Sequence, residues 1–124
     1  MVKIIDIIAT MNKLTKPSNI YRTTLDQALF ENVLPYVGIY VMAYMGKILY
    51  VGKAEDGIKD RLTNHISMNK SLIGIWLKSM EADWHNVRLD VLEPLDCEDR
   101  RWLVQAEMAL VQRFVPLFNE KLIP

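Results

Sequence analysis

The amino-acid sequence predicts a small α+β domain, on three observations. Residues 37–44 (VGIYVMAY) and 48–52 (ILYVG) are short runs of β-branched and aromatic side chains parted by a glycine-containing turn, the pattern of a β-hairpin. Residues 86–92 alternate apolar Val87, Leu89 and Val91 with polar neighbours, as a strand with one buried face does. The other apolar residues recur mostly at helical spacing. A chain of 124 residues can bury one modest core and not two, so strands and helices belong to a single unit.

Ile4, Ile7, Ile8 and Met11 are spaced for a first helix within residues 1–14, and residues 15–22 (TKPSNIYR) read as a connection. Thr24 followed by Gln27 has the form of a capping box, opening a second short helix over Leu25, Ala28, Leu29 and Val33 until Pro35 ends it. Residues 1–35 are thus expected to be a helical extension packed on the domain proper, residues 36–124. The hairpin leaves a choice of register. An odd number of loop residues brings Tyr40 and Tyr50 to one face of the sheet, and an even number sends them to opposite faces. Helices over residues 58–67 and 72–82 follow, then the third strand, then the longest helix, residues 98–114, stopped by Pro116.

Composition excludes several classes of protein. No apolar run approaches the roughly 18 residues of a membrane span, and Asp6 interrupts the apolar stretch behind Lys3. Neither a membrane partner nor a secretory leader is expected, and a cytoplasmic address is. One cysteine, Cys97, and two histidines, His65 and His85, exclude an internal disulfide and a zinc site of the usual ligands, so a metal would sit on oxygen. The formal net charge is zero, which weighs against a protein that holds nucleic acid by a basic surface alone. Residues 45–88 carry seven Lys or Arg against five acids and residues 89–124 carry four against seven. That polarity either orients a polyanion or is ordinary surface variation.

Three places carry more chemistry than packing requires. Strand tyrosines such as Tyr40 and Tyr50 commonly cover a core with their rings and keep their hydroxyls wet, but two phenols on one face also make a proton-handling pair. Arg61 and His65, four apart, flank the stripe of Ile58, Leu62 and Ile66. They are either a surface pair or the start of a phosphate grip, since a guanidinium fork matches phosphate oxygens. In the last helix Leu103, Val104, Leu110, Val111 and Phe114 share one side, and Glu107 projects from the middle of it. A carboxylate there has to be neutralised, paired or bound to a cation. A buried ion pair and a ligand for a hard divalent cation are the two readings.

Taken in order, these residues carry a resemblance. GIY at 38–40, YVG at 50–52 followed by Lys53, Arg61 and His65 on the next helix, Glu107 on a late helix and PLFN at 116–119 resemble the GIY-YIG nuclease domain. That family includes intron homing endonucleases, some restriction enzymes and the nuclease half of the bacterial excision-repair incision protein. The resemblance runs from about residue 36 to the end of the chain; Val51 stands where the family name has isoleucine, and Arg61 falls a residue later than is common. It implies a three-stranded antiparallel sheet flanked by helices, and an endonuclease that hydrolyses phosphodiester bonds in nucleic acid, DNA being the expected form.

The resemblance also implies roles. One Mg²⁺ or Mn²⁺ ion would sit on Glu107, and Arg61 would clamp a non-bridging phosphate oxygen. Tyr40 would be the base for the attacking water with Tyr50 positioning it, or the reverse, and His65 would orient a phenol or accept its proton. Gly52, Lys53 and Asn119 complete the substrate-binding set, Asn119 as a hydrogen bonder near Glu107. The competing expectation is a non-cleaving nucleic-acid or protein interaction module on the same scaffold, with the N-terminal helices as a surface for a partner or for self-association.

Overall fold

A computed structural model describes residues 18–31, 34–68, 71–94 and 100–119. They form β1 (Ser18–Thr24), α1 (Leu25–Phe30), β2 (Gly38–Tyr44), β3 (Lys47–Ala54), α2 (Ile58–Met68), α3 (Leu72–Ser79), a 3-10 helix (Glu81–Asn86), β4 (Arg88–Pro94) and α4 (Arg100–Phe114). The helix expected within residues 1–14, and the partner surface expected on it, lie outside the described residues.

The fold is α+β, and its antiparallel sheet has four strands rather than three, in the order β1-β4-β2-β3. The additional strand is β1, where a connection was expected. Its apolar residues fall on adjacent positions, Ile20 packing on one layer and Tyr21 on the other, so no period of two is visible. β1 pairs with β4 along its length, from Ser18 opposite Pro94 to Thr24 opposite Arg88. The sheet therefore crosses the boundary expected between residues 35 and 36, and residues 18–24 are part of the domain rather than of a helical extension.

The hairpin turn has two residues, Met45 and Gly46, both at positive φ (50° and 78°), as a tight turn matched to strand twist requires. That even loop alone would place Tyr40 and Tyr50 on opposite faces. β3 carries a bulge, however: Met42 pairs with Tyr50 and Ala43 with Ile48, leaving Leu49 as an extra residue. The extra residue inverts the register a second time. Tyr40 and Tyr50 emerge on the same face, packed in the same core cluster.

Two helical segments differ from expectation at their ends. Thr24 precedes α1 without a capping box: its hydroxyl donates to the Asp26 carboxylate, which accepts the Gln27 N–H, while the Gln27 amide oxygen accepts the Thr23 hydroxyl at 3.1 Å. α1 then ends at Phe30, short of Val33. α3 stops at Ser79 instead of reaching residue 82, and the chain tightens into the 3-10 helix, anchored by the Trp84 indole donating to the Leu77 carbonyl at 2.8 Å.

The sheet separates two apolar layers. On one face α1, α2, α3 and the 3-10 helix bury Leu25, Ile58, Leu62, Ile73, Leu77 and Trp84 against Tyr40, Met42, Leu49, Leu89 and Val91. On the other, α4 lays Leu103, Ala106 and Leu110 on Ile39, Val41, Ile48, Val51 and Leu92. Each fully buried Leu or Ile contributes about 2 kcal/mol before chain entropy is subtracted. With Ala106 buried between Leu103 and Leu110, the buried arc of α4 is turned away from the side expected. Val104 is 41% exposed, and Glu107 is half-buried on the shoulder of the arc rather than at its middle.

Candidate active site

After α4 the chain reverses at Val115 (φ 45°) and runs back along the open edge of β3. The Leu117 N–H donates to Ile48 O at 3.2 Å and the Phe118 N–H to Leu49 O at 2.8 Å. Asn119 continues the pairing with its side chain: the Val51 N–H donates to Oδ1 at 2.9 Å and Nδ2 donates to Val51 O at 2.8 Å. Both polar ends of the Asn119 amide thus serve the sheet edge. Beyond Val51 the edge opens into a cleft of about 1160 Å³ between α2 and α4.

Six of the eight residues expected to form a site line this cleft: Tyr50, Lys53, Arg61, His65, Glu107 and Asn119. The other two, Tyr40 and Gly52, are buried cross-strand partners beside it. A Cβ at Gly52 would stand 2.5 Å from Tyr40 Cζ and Oη and 2.7 Å from Tyr50 Cε2, so the glycine is what allows the Tyr40 ring to lie across β3. The Tyr40 hydroxyl reaches His65 Nε2 at 3.0 Å. The Tyr40 and Tyr50 rings stack with centroids 6.0 Å apart, and the His65 ring meets Tyr50 edge-on at 5.0 Å.

The cleft's electrostatics follow from burial and from Arg61. Tyr40 is fully buried, and desolvation pushes its hydroxyl far above the ordinary phenol range; Tyr50 adds to the rise and the charge of Arg61 opposes it. Tyr50 is raised by the same desolvation, with Arg61 pulling it down and Glu107 pushing it up. Both hydroxyls therefore hold their protons at neutral pH. Burial works to lower the Arg61 pKa, but the two phenols outweigh it and the net shift is upward.

Sequence reasoning missed three features of this place. Glu55, Asp56 and Asp60 join Glu107 on the walls, so four carboxylates face the two cations Lys53 and Arg61. Lys53 Nζ lies 3.5 Å from Glu55 Oε1, which withdraws part of its charge from any ligand. Met108, Val111 and Val115 make one wall apolar. Ser71 Oγ stands 3.4 Å from His65 Nδ1. Ser71 caps α3, its Oγ accepting the Gly74 N–H at 3.0 Å, and only the packing of α3 on α2 brings it to His65.

Among the described residues no group of three His, Cys, Asp or Glu side chains could hold a metal ion. A divalent cation at Glu107 would rest on a carboxylate oxygen. That donor set fits Mg²⁺, which dehydrates reluctantly and prefers oxygen, and does not fit zinc. Compared with known proteins, the chain matches no family model, no curated protein and no solved structure. No described helix is long and apolar enough to cross a membrane.

Proposed function

We propose that the cleft is the active site of a divalent-cation-dependent endonuclease that hydrolyses phosphodiester bonds in nucleic acid, with DNA as the substrate expected from the GIY-YIG resemblance. The observation that carries this reading is convergence: β3, α2 and α4 bring Tyr50, Arg61, His65 and Glu107 to one cleft, and Tyr40 of β2, buried beside it, reaches His65 with its hydroxyl. Phosphodiester hydrolysis requires an aligned water, an acceptor for its proton and positive charge beside the phosphate oxygens. Arg61 supplies a planar fork for a non-bridging oxygen. Tyr50, the phenol on the cleft wall, orients the water. The Tyr40 hydroxyl, bonded to Nε2, passes a proton to His65 as the water gives one up to the phenol pair. Glu107 holds the cation, which when bound supplies Lewis-acid polarisation of the phosphate. Gly52 keeps the two phenols in place, Lys53 lines the cleft, and Asn119 secures the edge of β3.

The excess of carboxylates in the cleft favours a second reading, a scaffold that binds a partner without cutting it, because four acids repel a phosphate backbone that two cations attract. One assay separates the readings: incubation with plasmid, branched DNA, single-stranded DNA and RNA in Mg²⁺, Mn²⁺ or chelator. The nuclease reading expects strand cleavage with either ion and none with chelator or in Glu107→Gln. Binding without cleavage in every condition overturns it in favour of the scaffold.

A further inference from the structure

We propose that Ser71 is a positioning residue for His65, holding the imidazole as the Nδ1–H tautomer so that Nε2 accepts the proton of the Tyr40 hydroxyl; the catalytic meaning of this rests on the nuclease reading. Three contacts define the arrangement. Tyr40 Oη lies 3.0 Å from Nε2, Ser71 Oγ lies 3.4 Å from Nδ1, and Ser71 Oγ accepts the Gly74 N–H at 3.0 Å. A neutral imidazole carries a single N–H, and its bare nitrogen can accept a hydrogen bond from a phenol that keeps its proton. With Tyr40 donating to Nε2, the imidazole hydrogen is on Nδ1 and points at Ser71 Oγ. That oxygen has two lone pairs, one for the Gly74 N–H and one for Nδ1–H.

The fold is built to make this contact. Any Cβ at Gly74 would overlap the His65 carbonyl oxygen, so α3 rests on α2 at a distance that only glycine permits. A glycine inside a helix is unfavourable by itself, and the close crossing explains its presence. Three residues earlier, at the N-terminus of the same helix, Ser71 is thereby delivered to the imidazole. In the reaction the Oη–H bond of Tyr40 breaks as the Nε2–H bond forms, the water's proton replaces the one lost from the phenols, and the imidazolium releases its extra proton into the cleft. The opposite tautomer would place a hydrogen on Nε2 facing the Tyr40 hydroxyl, and the transfer would have no acceptor.

The test reads the tautomer directly, by two-bond proton–nitrogen correlation on the ¹⁵N-labelled full chain at a pH where imidazoles are neutral, with His85→Gln used to assign the two histidines. The parent is expected to show His65 as Nδ1–H. Ser71→Ala, or Ser71→Gly should the alanine variant fail to fold, is expected to bring in the Nε2–H form and to lower kcat roughly tenfold or more with KM unchanged. Glycine is tolerated as a helix cap, so it removes the hydroxyl with little loss of the cap. Ser71→Asp, which can still accept from both N–H groups, should keep the Nδ1–H form. A parent in the Nε2–H form, or an unchanged tautomer in the alanine and glycine variants, overturns the assignment. Because the tautomer is read without substrate, a protein that cuts nothing overturns the nuclease reading while this test still decides the role of Ser71.

Discussion

The Tyr40 ring fills the space that a side chain at Gly52 would need, with a Cβ there standing 2.5 Å from its Cζ and Oη. Gly52→Ala must push the ring aside in a packed core, which costs about 1–3 kcal/mol and pulls the hydroxyl from His65. Chemical denaturation should show the loss, and cleavage should fall with it. An alanine variant as stable and as active as the parent would mean that the two rings have room to move.

Arg61→Ala should lower cleavage by roughly two orders of magnitude or more, because a charge aimed at the phosphate is lost, while thermal unfolding changes little for so exposed a side chain. Arg61→Lys should recover little of the rate, a point charge being a poor substitute for the fork. Single-turnover rates check both, and full activity in the alanine variant would remove Arg61 from the mechanism.

Glu107 lies half-buried on the shoulder of the buried arc, so its charge is partly solvated in the folded protein. Glu107→Gln should leave the stability of the metal-free protein within about 1 kcal/mol of the parent. Mg²⁺ should raise the melting temperature of the parent and not of the variant, since binding to the folded state alone stabilises it by mass action. Equal protection of both proteins would place the cation elsewhere.

Asp90, 1% exposed, lies 3.8 Å from Arg22 Nε and 3.7 Å from Arg88 Nη2, and its Oδ1 accepts no hydrogen bond. Burial raises its pKa, and the two arginines only partly oppose the rise. A raised folded-state value means that the stabilisation from protonating Asp90 is fully present below the unfolded value and is lost as pH rises through the folded one. Above that folded value the ionised carboxylate is therefore a burden, and both arginine side chains are partly exposed, although Arg88 Nε is itself buried with no hydrogen-bond partner. Asp90→Asn should be as stable as the parent or about 1 kcal/mol more stable at pH 7. The difference should shrink on acidification; a gap that widens toward acid would contradict the raised pKa.

Tyr40→Phe should abolish cleavage and remove the acceptor relation at His65, while Tyr50→Phe should slow cleavage and leave the Tyr40–His65 bond in place. Single-turnover rates combined with the His65 nitrogen spectrum tell the two apart. A Tyr40→Phe variant that cuts normally would move proton transfer entirely to Tyr50 and His65.

Some of this arrangement was legible residue by residue. The hairpin, the strand around Val91, the helices beginning at Ile58 and ending at Phe114, and the chemistry-bearing Tyr50, Arg61, His65 and Glu107 could be read from types and spacings, whereas Lys53 and Asn119 came only with the resemblance. The same-face placement of Tyr40 and Tyr50 was one of two alternatives, and the observed route combines an even loop with a bulge at Leu49. β1 was hidden because Ile20 and Tyr21 serve opposite layers, and Val104 drew the expected helix face toward itself because an exposed valine looks like a core valine in one dimension.

The sequence by itself determined what neighbours within a turn or a strand can decide: where most helices begin, that the chain reverses around Gly46, and which chemical groups are present. Tertiary structure decided which of those groups meet. The pairing of β1 with β4, the Asn119 clasp on Val51, the crossing of α3 over His65 and the shoulder position of Glu107 all join residues distant in the chain. Two of the deciding residues, Gly52 and Gly74, act through the space they leave empty. Such a vacancy has meaning only once another part of the chain has arrived to fill it, which is why no local pattern announces it.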